Sequence, residues 1–103
     1  MIGVKGRKDM HAVVRSYSGP GAKELFDVLE KNKGEVESLM RGVKGSISYT
    51  LVRTADGGAS VTVCETKEAT DESVKIAADW VKANSSSGAA PPAISEGETI
   101  VHF

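Results

Sequence analysis

The apolar residues of this chain alternate between the two-residue period of strands and the three-to-four-residue period of helices. The order of that alternation limits the folds open to it. His11 to Tyr17 reads H-A-V-V-R-S-Y and stops at Gly19-Pro20-Gly21, a strand followed by a turn. From Ala22 to Val43 the positions Ala22, Leu25, Phe26, Leu29, Val36, Leu39, Met40 and Val43 make one helical stripe. Gly34 predicts a kink near Asn32–Gly34, and Gly42 and Gly45 bracket the end. Ile47–Thr54 and Ser60–Thr66 are two more strand-like runs, separated by Ala55-Asp56-Gly57-Gly58, where Asp-Gly signals a hairpin. Thr70 is the expected N-cap of a second helix, with Asp71 and Glu72 in its first turn. Val74, Ala77, Ala78 and Val81 mark its apolar face, Ile76 and Trp80 widen it, and Asn84 ends it. Ser85–Ala93 reads as a loop, and Glu98–Phe103 as the last strand.

The order β-α-β-β-α-β predicts an α+β, ferredoxin-like domain, one antiparallel sheet with two helices on one face. Each helix crosses between two strands, so strands one and three should lie at the centre of the sheet. The other face is the harder constraint. Ala12, Val14, Ile47, Tyr49, Leu51, Val52, Val61, Val63, Ile100, Val101 and Phe103 occupy both strand parities, whereas a sheet with one wet face alternates. The simplest cover is a second copy of the chain, which predicts a C2 homodimer. Residues 1–9, rich in Gly and Lys and without period, read as a tail, and 10–103 as a single domain.

Composition narrows the setting. Lys and Arg number 13 against 14 Asp and Glu, a net charge of −1, which argues against a basic nucleic-acid surface. No apolar run approaches the ~20 residues of a membrane helix, and Met1 to Met10 lacks the apolar core of a signal peptide. The only cysteine, Cys64, has no partner within the chain. The expectation is a cytoplasmic protein with no nucleic-acid or membrane partner.

His11, Arg15 and Tyr17 share one face of strand one, with Val13 between them. That face is either a cavity wall suited to an acidic or phenolic molecule, or a strand end with Arg15 in a surface ion pair. If it lies under the helices, Arg15 and Tyr17 meet the stripe that carries Trp80. The buried guanidinium would then need an anion, from a ligand or from Glu65 of strand three. The same parity could instead face the dimer. Tyr49 and Arg53 share a face of strand two and could hold a substrate oxygen, or could be ordinary strand residues. Trp80 could stack on an aromatic ligand or simply fill the core. Cys64 sits in an apolar strand with only Lys67 nearby to activate it. A metal site from His11, Cys64 and His102 has no supporting spacing. Gly19-Pro20-Gly21 lacks the fingerprint of a phosphate loop.

In the order of its elements and in several phrases, the chain resembles the antibiotic-biosynthesis-monooxygenase-like domains of the dimeric α/β-barrel superfamily. The phrases are Ala22-Lys-Glu-Leu-Phe-Asp-Val-Leu-Glu, Gly42-Val-Lys-Gly-Ser-Ile-Ser-Tyr-Thr-Leu-Val-Arg, and Asp56-Gly57 leading into Val61-Thr-Val-Cys-Glu-Thr-Lys-Glu-Ala. The likeness runs from Met10 to Asn84, with the last strand matched by position. It implies two sheets facing each other across a dimer, and a small-molecule pocket between helices and sheet in each subunit. Some members oxygenate aromatic polyketides without metal or flavin, and others degrade haem. Haem-degrading members use an axial His on the second helix, and Thr70 to Asn84 contains none. Many members also carry an aromatic just after the third strand, where this chain has Thr66-Lys67-Glu68. The expectation is therefore a protein without haem, flavin or metal. It is either a cofactor-independent monooxygenase acting on a small aromatic or polyketide-like molecule, or a binding or dimerisation module of the same fold. Oxygenation would need a base, for which His11 and His102 are the candidates. Arg15, Tyr17, Tyr49 and Trp80 are the candidate substrate contacts.

Overall fold

The chain forms strand β1 over His11–Tyr17, helices α1 over Ala22–Lys31 and α2 over Lys33–Arg41, and strands β2 over Ser46–Thr54 and β3 over Gly57–Cys64. Helix α3 over Lys67–Asn84 and strand β4 over Ala93–Glu98 complete it. These elements come from a computed structural model that describes residues 10–86 and 88–103; the expected tail, 1–9, lies outside the described residues. The four strands make one sheet in the order β2-β3-β1-β4, every neighbouring pair antiparallel. β1 and β3 are central, as the crossovers require. Among the described residues the sheet carries three helices on one face, because the first helical stripe is divided in two.

The division falls at Asn32, with φ −112° and ψ 28°. Its side-chain amide donates to the Val28 carbonyl at 2.8 Å, and its own carbonyl accepts from the Val36 N–H at 3.0 Å. The kink expected beside Gly34 is therefore a full break, yet Leu25, Phe26, Leu29, Val36 and Met40 stay in one core cluster with Tyr17, Ala77 and Trp80. At its start α1 has no side-chain cap; Gly21 takes φ +86°, a left-handed turn that suits glycine.

Three elements differ in their bounds from the sequence reading. Strand β3 is Gly57–Cys64 rather than Ser60–Thr66, because Gly57 and Gly58, expected in the turn, already pair with Thr54 and Arg53 of β2. Helix α3 begins a turn early, because Thr66 rather than Thr70 is the N-cap, its hydroxyl accepting from the Ala69 N–H at 3.1 Å. Thr70 is wholly buried and donates back to the Lys67 carbonyl. The last strand is Ala93–Glu98, not Glu98–Phe103. Its register on β1 runs from Ser16↔Ala93 to His11↔Glu98, with one further bond from Thr99 N–H to the Met10 carbonyl. β1 ends there, so the β-branched run beyond has no strand to pair with among the described residues. Ile100, Val101 and Phe103 are all exposed. The true strand is a polar edge, a composition that blunts edge pairing rather than advertising a strand.

The registers also settle which parity faces the helices. Val13, Arg15 and Tyr17 of β1 lie beneath them and are buried, together with Ser60, Thr62 and Cys64 of β3. The opposite face carries Ala12, Val14 and Ser16 beside Val63, Val61 and Ala59, then Ser48, Thr50 and Val52 of β2. No charged residue falls on those positions.

Candidate functional site

A small cavity, with about 20 Å³ of free space, lies between the helices and the sheet. Its walls are mostly apolar. Phe26, Leu29 and Met40 close it from α1 and α2, Ala77 and Trp80 from α3, and Leu51 from β2. Its polar groups all come from the sheet: Arg15 and Tyr17 of β1, Ser60 of β3 and Tyr49 of β2. Val36, Met40, Tyr49 and Leu51 also line a groove of about 540 Å³ running between α2 and β2, so the cavity adjoins that groove. As it stands, the interior has room for about one or two water molecules. A larger ligand must displace side chains, and the unbranched Met40, which stands between cavity and groove, is the one best able to move.

Four of the six expected site residues are thus brought together: Arg15, Tyr17, Tyr49 and Trp80 line one cavity. The two histidines are not. His11 lies at the far end of β1, where Nε2 meets the Glu96 carboxylate at 2.9 Å. His102 is half-buried in the segment after β4 and outside the cavity wall. Arg53 points to the surface and pairs with Asp27 at 3.1 Å and Glu30 at 2.9 Å of α1. Glu65 is exposed and makes no ion pair with Arg15, so the anionic partner expected from strand three is not supplied.

Arg15 is 5% exposed. Its Nη2 donates to the Tyr17 hydroxyl, and the guanidinium sits 5.6 Å from the Tyr17 ring centroid. Tyr17 is held edge-on against Phe26, ring centroids 5.8 Å apart. Trp80 presents its ring to the cavity, while its indole N–H donates to the Glu35 carboxylate at 3.0 Å. Any contribution of Trp80 to a ligand is therefore through the ring face, not the N–H. Cys64 is wholly buried and burial pushes its thiol up, as befits a packing residue. Among the described residues no group of three or more His, Cys, Asp or Glu lies together as a metal site would.

Ser60 of β3 is the cavity residue the sequence reading missed. It pairs with Arg15 in the β1–β3 register and is 2% exposed. The signal was present: β3 carries Ser60, Thr62 and Cys64 on alternate positions, a small and polar set on a central strand, where covering helices call for bulk.

Burial raises the Tyr49 phenol above its ordinary value of 10.0, with Arg15 opposing and Tyr17 reinforcing the shift. A raised value means that the folded state holds this proton more tightly. The associated stability is fully present below the unfolded value and is lost as pH rises through the higher folded one. Alkaline titration of the native protein, followed by tyrosinate absorbance, is expected to show a late-ionising phase that vanishes in Tyr49→Phe. An unchanged curve in that variant would contradict the assignment.

No protein-family model and no curated protein matches the chain. Solved structures do. A monooxygenase from the gene ActVA-Orf6 of Streptomyces coelicolor, in complex with the ligand Nanaomycin D, is 24% identical over 94% of this chain and 92% of its own, with a TM-score of 0.61. SnoaB, a cofactor-independent oxygenase from Streptomyces nogalater, is 14% identical over 92% and 97%, with a TM-score of 0.65. NE2512, a protein of unknown function from Nitrosomonas europaea, is 16% identical over 95% of both chains, with a TM-score of 0.69. Among the described residues no helix is long and apolar enough to cross a membrane. At these identities the likeness concerns the backbone: this chain has the antibiotic-biosynthesis-monooxygenase-like fold.

Proposed function

We propose that the protein is a homodimer that binds a small, flat, partly aromatic molecule in the cavity of each subunit and oxygenates it without a bound cofactor. The observation that carries this reading is the composition of the cavity. It is an apolar, aromatic-walled space with its polar groups gathered on the sheet, as small-molecule sites are built. Two neighbours of the same fold are named as oxygenases, which supports the reaction class.

The chemistry asks little of the protein beyond holding an anion. An enolisable CH2 group of the substrate loses one proton to water, and Arg15 lowers the energy of the resulting carbanion's oxygen-borne charge. The carbanion carbon bonds dioxygen and the peroxide takes a proton back. Loss of the second C–H proton then breaks the O–O bond, so that one oxygen remains as a carbonyl and the other leaves as water, the CH2 group supplying all four electrons.

A specific observation favours a second reading, a binding module without turnover: among the described residues neither His nor any carboxylate lines the cavity, and the side-chain proton acceptors there are hydroxyls. Oxygen uptake with 9-anthrone separates the two. A cofactor-independent oxygenase is expected to consume equimolar dioxygen above the buffer's own autoxidation, with EDTA making no difference. Quenching of Trp80 fluorescence without uptake would leave the binding module. Neither signal would remove the cavity as a ligand site for such molecules.

A further inference from the structure

Two buried polar atoms at the floor of the cavity, Arg15 Nε and Ser60 Oγ, have no hydrogen-bond partner among the described residues. They belong to residues directly opposite each other in the β1–β3 register. Both side chains line the cavity and both are more than nine-tenths buried. Such groups are normally satisfied, and an unpaired guanidinium is the costliest of them to bury. Among the described residues Arg15 donates only to a neutral phenol, Tyr17, and no carboxylate forms an ion pair with it.

We infer that Arg15 and Ser60 form the anion subsite of the cavity, and that its ligand is a small aromatic carboxylate. The inference rests on the cavity being a ligand site, and adds the charge that the ligand must carry. A carboxylate brings two acceptor oxygens for two adjacent donors, Nε–H and the Ser60 hydroxyl. It is ionised throughout the neutral range, so it neutralises Arg15 without first giving up a proton, as a phenol must. The guanidinium edge matches its planar geometry. The ring then lies among Phe26, Met40 and Trp80.

Calorimetric titration with benzoate and its neutral isostere benzamide, on the wild type, Arg15→Met and Ser60→Ala, tests the assignment. Arg15→Met keeps length and volume, so folding should survive. The wild type is expected to bind benzoate at least about tenfold more tightly than benzamide, a difference of about 1.4 kcal/mol. Arg15→Met should abolish that preference, and Ser60→Ala should cut benzoate affinity by a smaller factor. Arg15→Met should also melt above the wild type in the absence of ligand, because the empty subsite leaves a buried charge unpaired. Benzamide binding as tightly as benzoate, or a preference surviving in Arg15→Met, would overturn the anion subsite while leaving the cavity a ligand site; water alone would then bridge the two donors. No binding of either molecule would overturn the cavity as a site for single-ring aromatics, and the anion subsite with it.

Discussion

Val14→Asp is expected to separate the proposed dimer into monomers. Val14 lies on the central strand, on the face away from the helices, and remains 37% exposed in the single chain. Around it the register places Ala12, Ser16, Ala59, Val61 and Val63, with Val52 further out at 45% exposure. A sheet face without charge is poorly suited to permanent contact with water, and small β-branched side chains let a second sheet approach closely. In an isologous dimer each residue near the axis meets its own copy. One substitution therefore buries two carboxylates, unpaired and close together. A penalty of about 4 kcal/mol, the usual order for an uncompensated buried charge, weakens association roughly a thousandfold. Sedimentation at micromolar concentration should give twice the 10.8 kDa chain mass for the wild type and the single mass for the variant. Circular dichroism would show whether the variant keeps its fold. A wild type that sediments as a folded monomer would sink the dimer outright. Leu51→Asp is a different experiment, because Leu51 faces the cavity and its substitution strikes the core.

That distinction between Val52 and Leu51, and between Val14 and Arg15, marks the boundary of what a sequence can reveal about this sheet. Period two tells which residues share a face, and His11, Arg15 and Tyr17 do share one. It does not tell which face meets the helices when both parities carry apolar residues. The register resolves this in favour of Arg15, Tyr17 and Ser60 beneath the helices. Element order was legible because punctuation was strong: Gly19-Pro20-Gly21, Asn32–Gly34 and Asp56-Gly57 each mark a real boundary. The last strand was not, because pairing depends on a neighbour. Thr99–Phe103 has the residues of a strand but extends past the end of β1, while Ala93–Glu98 has a polar composition and the neighbour. The histidines were chosen for their chemistry alone. Position along β1 then separates His11 from the cavity, with Glu96 as its partner.

Gly57→Ala is expected to be among the most destabilising single-methyl additions in the described chain, and Gly58→Ala next to it a much milder one. The difference lies in what each new Cβ would meet. At Gly57 it would stand 2.2 Å from the Tyr17 carbonyl oxygen, 2.9 Å from Ala22 Cβ and 3.0 Å from the Tyr17 carbonyl carbon. Those are backbone atoms at the end of β1 and the wholly buried first residue of α1. Nothing there can rotate away, so the strand end itself must move. At Gly58 the Cβ would meet the Phe26 ring at 2.3–2.6 Å. That is the far end of a side chain with unfilled space beyond it, and the ring can tilt into the cavity. Overpacking in a close-packed interior typically costs 1–3 kcal/mol, and Gly57→Ala should reach about 3 kcal/mol, Gly58→Ala about 1 kcal/mol. For a domain of this size the first corresponds to a fall in melting temperature of more than about 10 °C. Their effects on binding should run the other way relative to stability. Gly58→Ala pushes Phe26 into the space the ligand needs and should abolish benzoate binding in a protein that is still folded. Gly57→Ala moves Tyr17, the hydroxyl partner of Arg15, and should weaken binding only as far as the fold is lost. Melting curves for both variants, with and without benzoate, check the pair. If Gly57→Ala melts within about 2 °C of the wild type, the end of β1 is not fixed by its approach to β3. The placement of Tyr17 beside Arg15 would then need another cause.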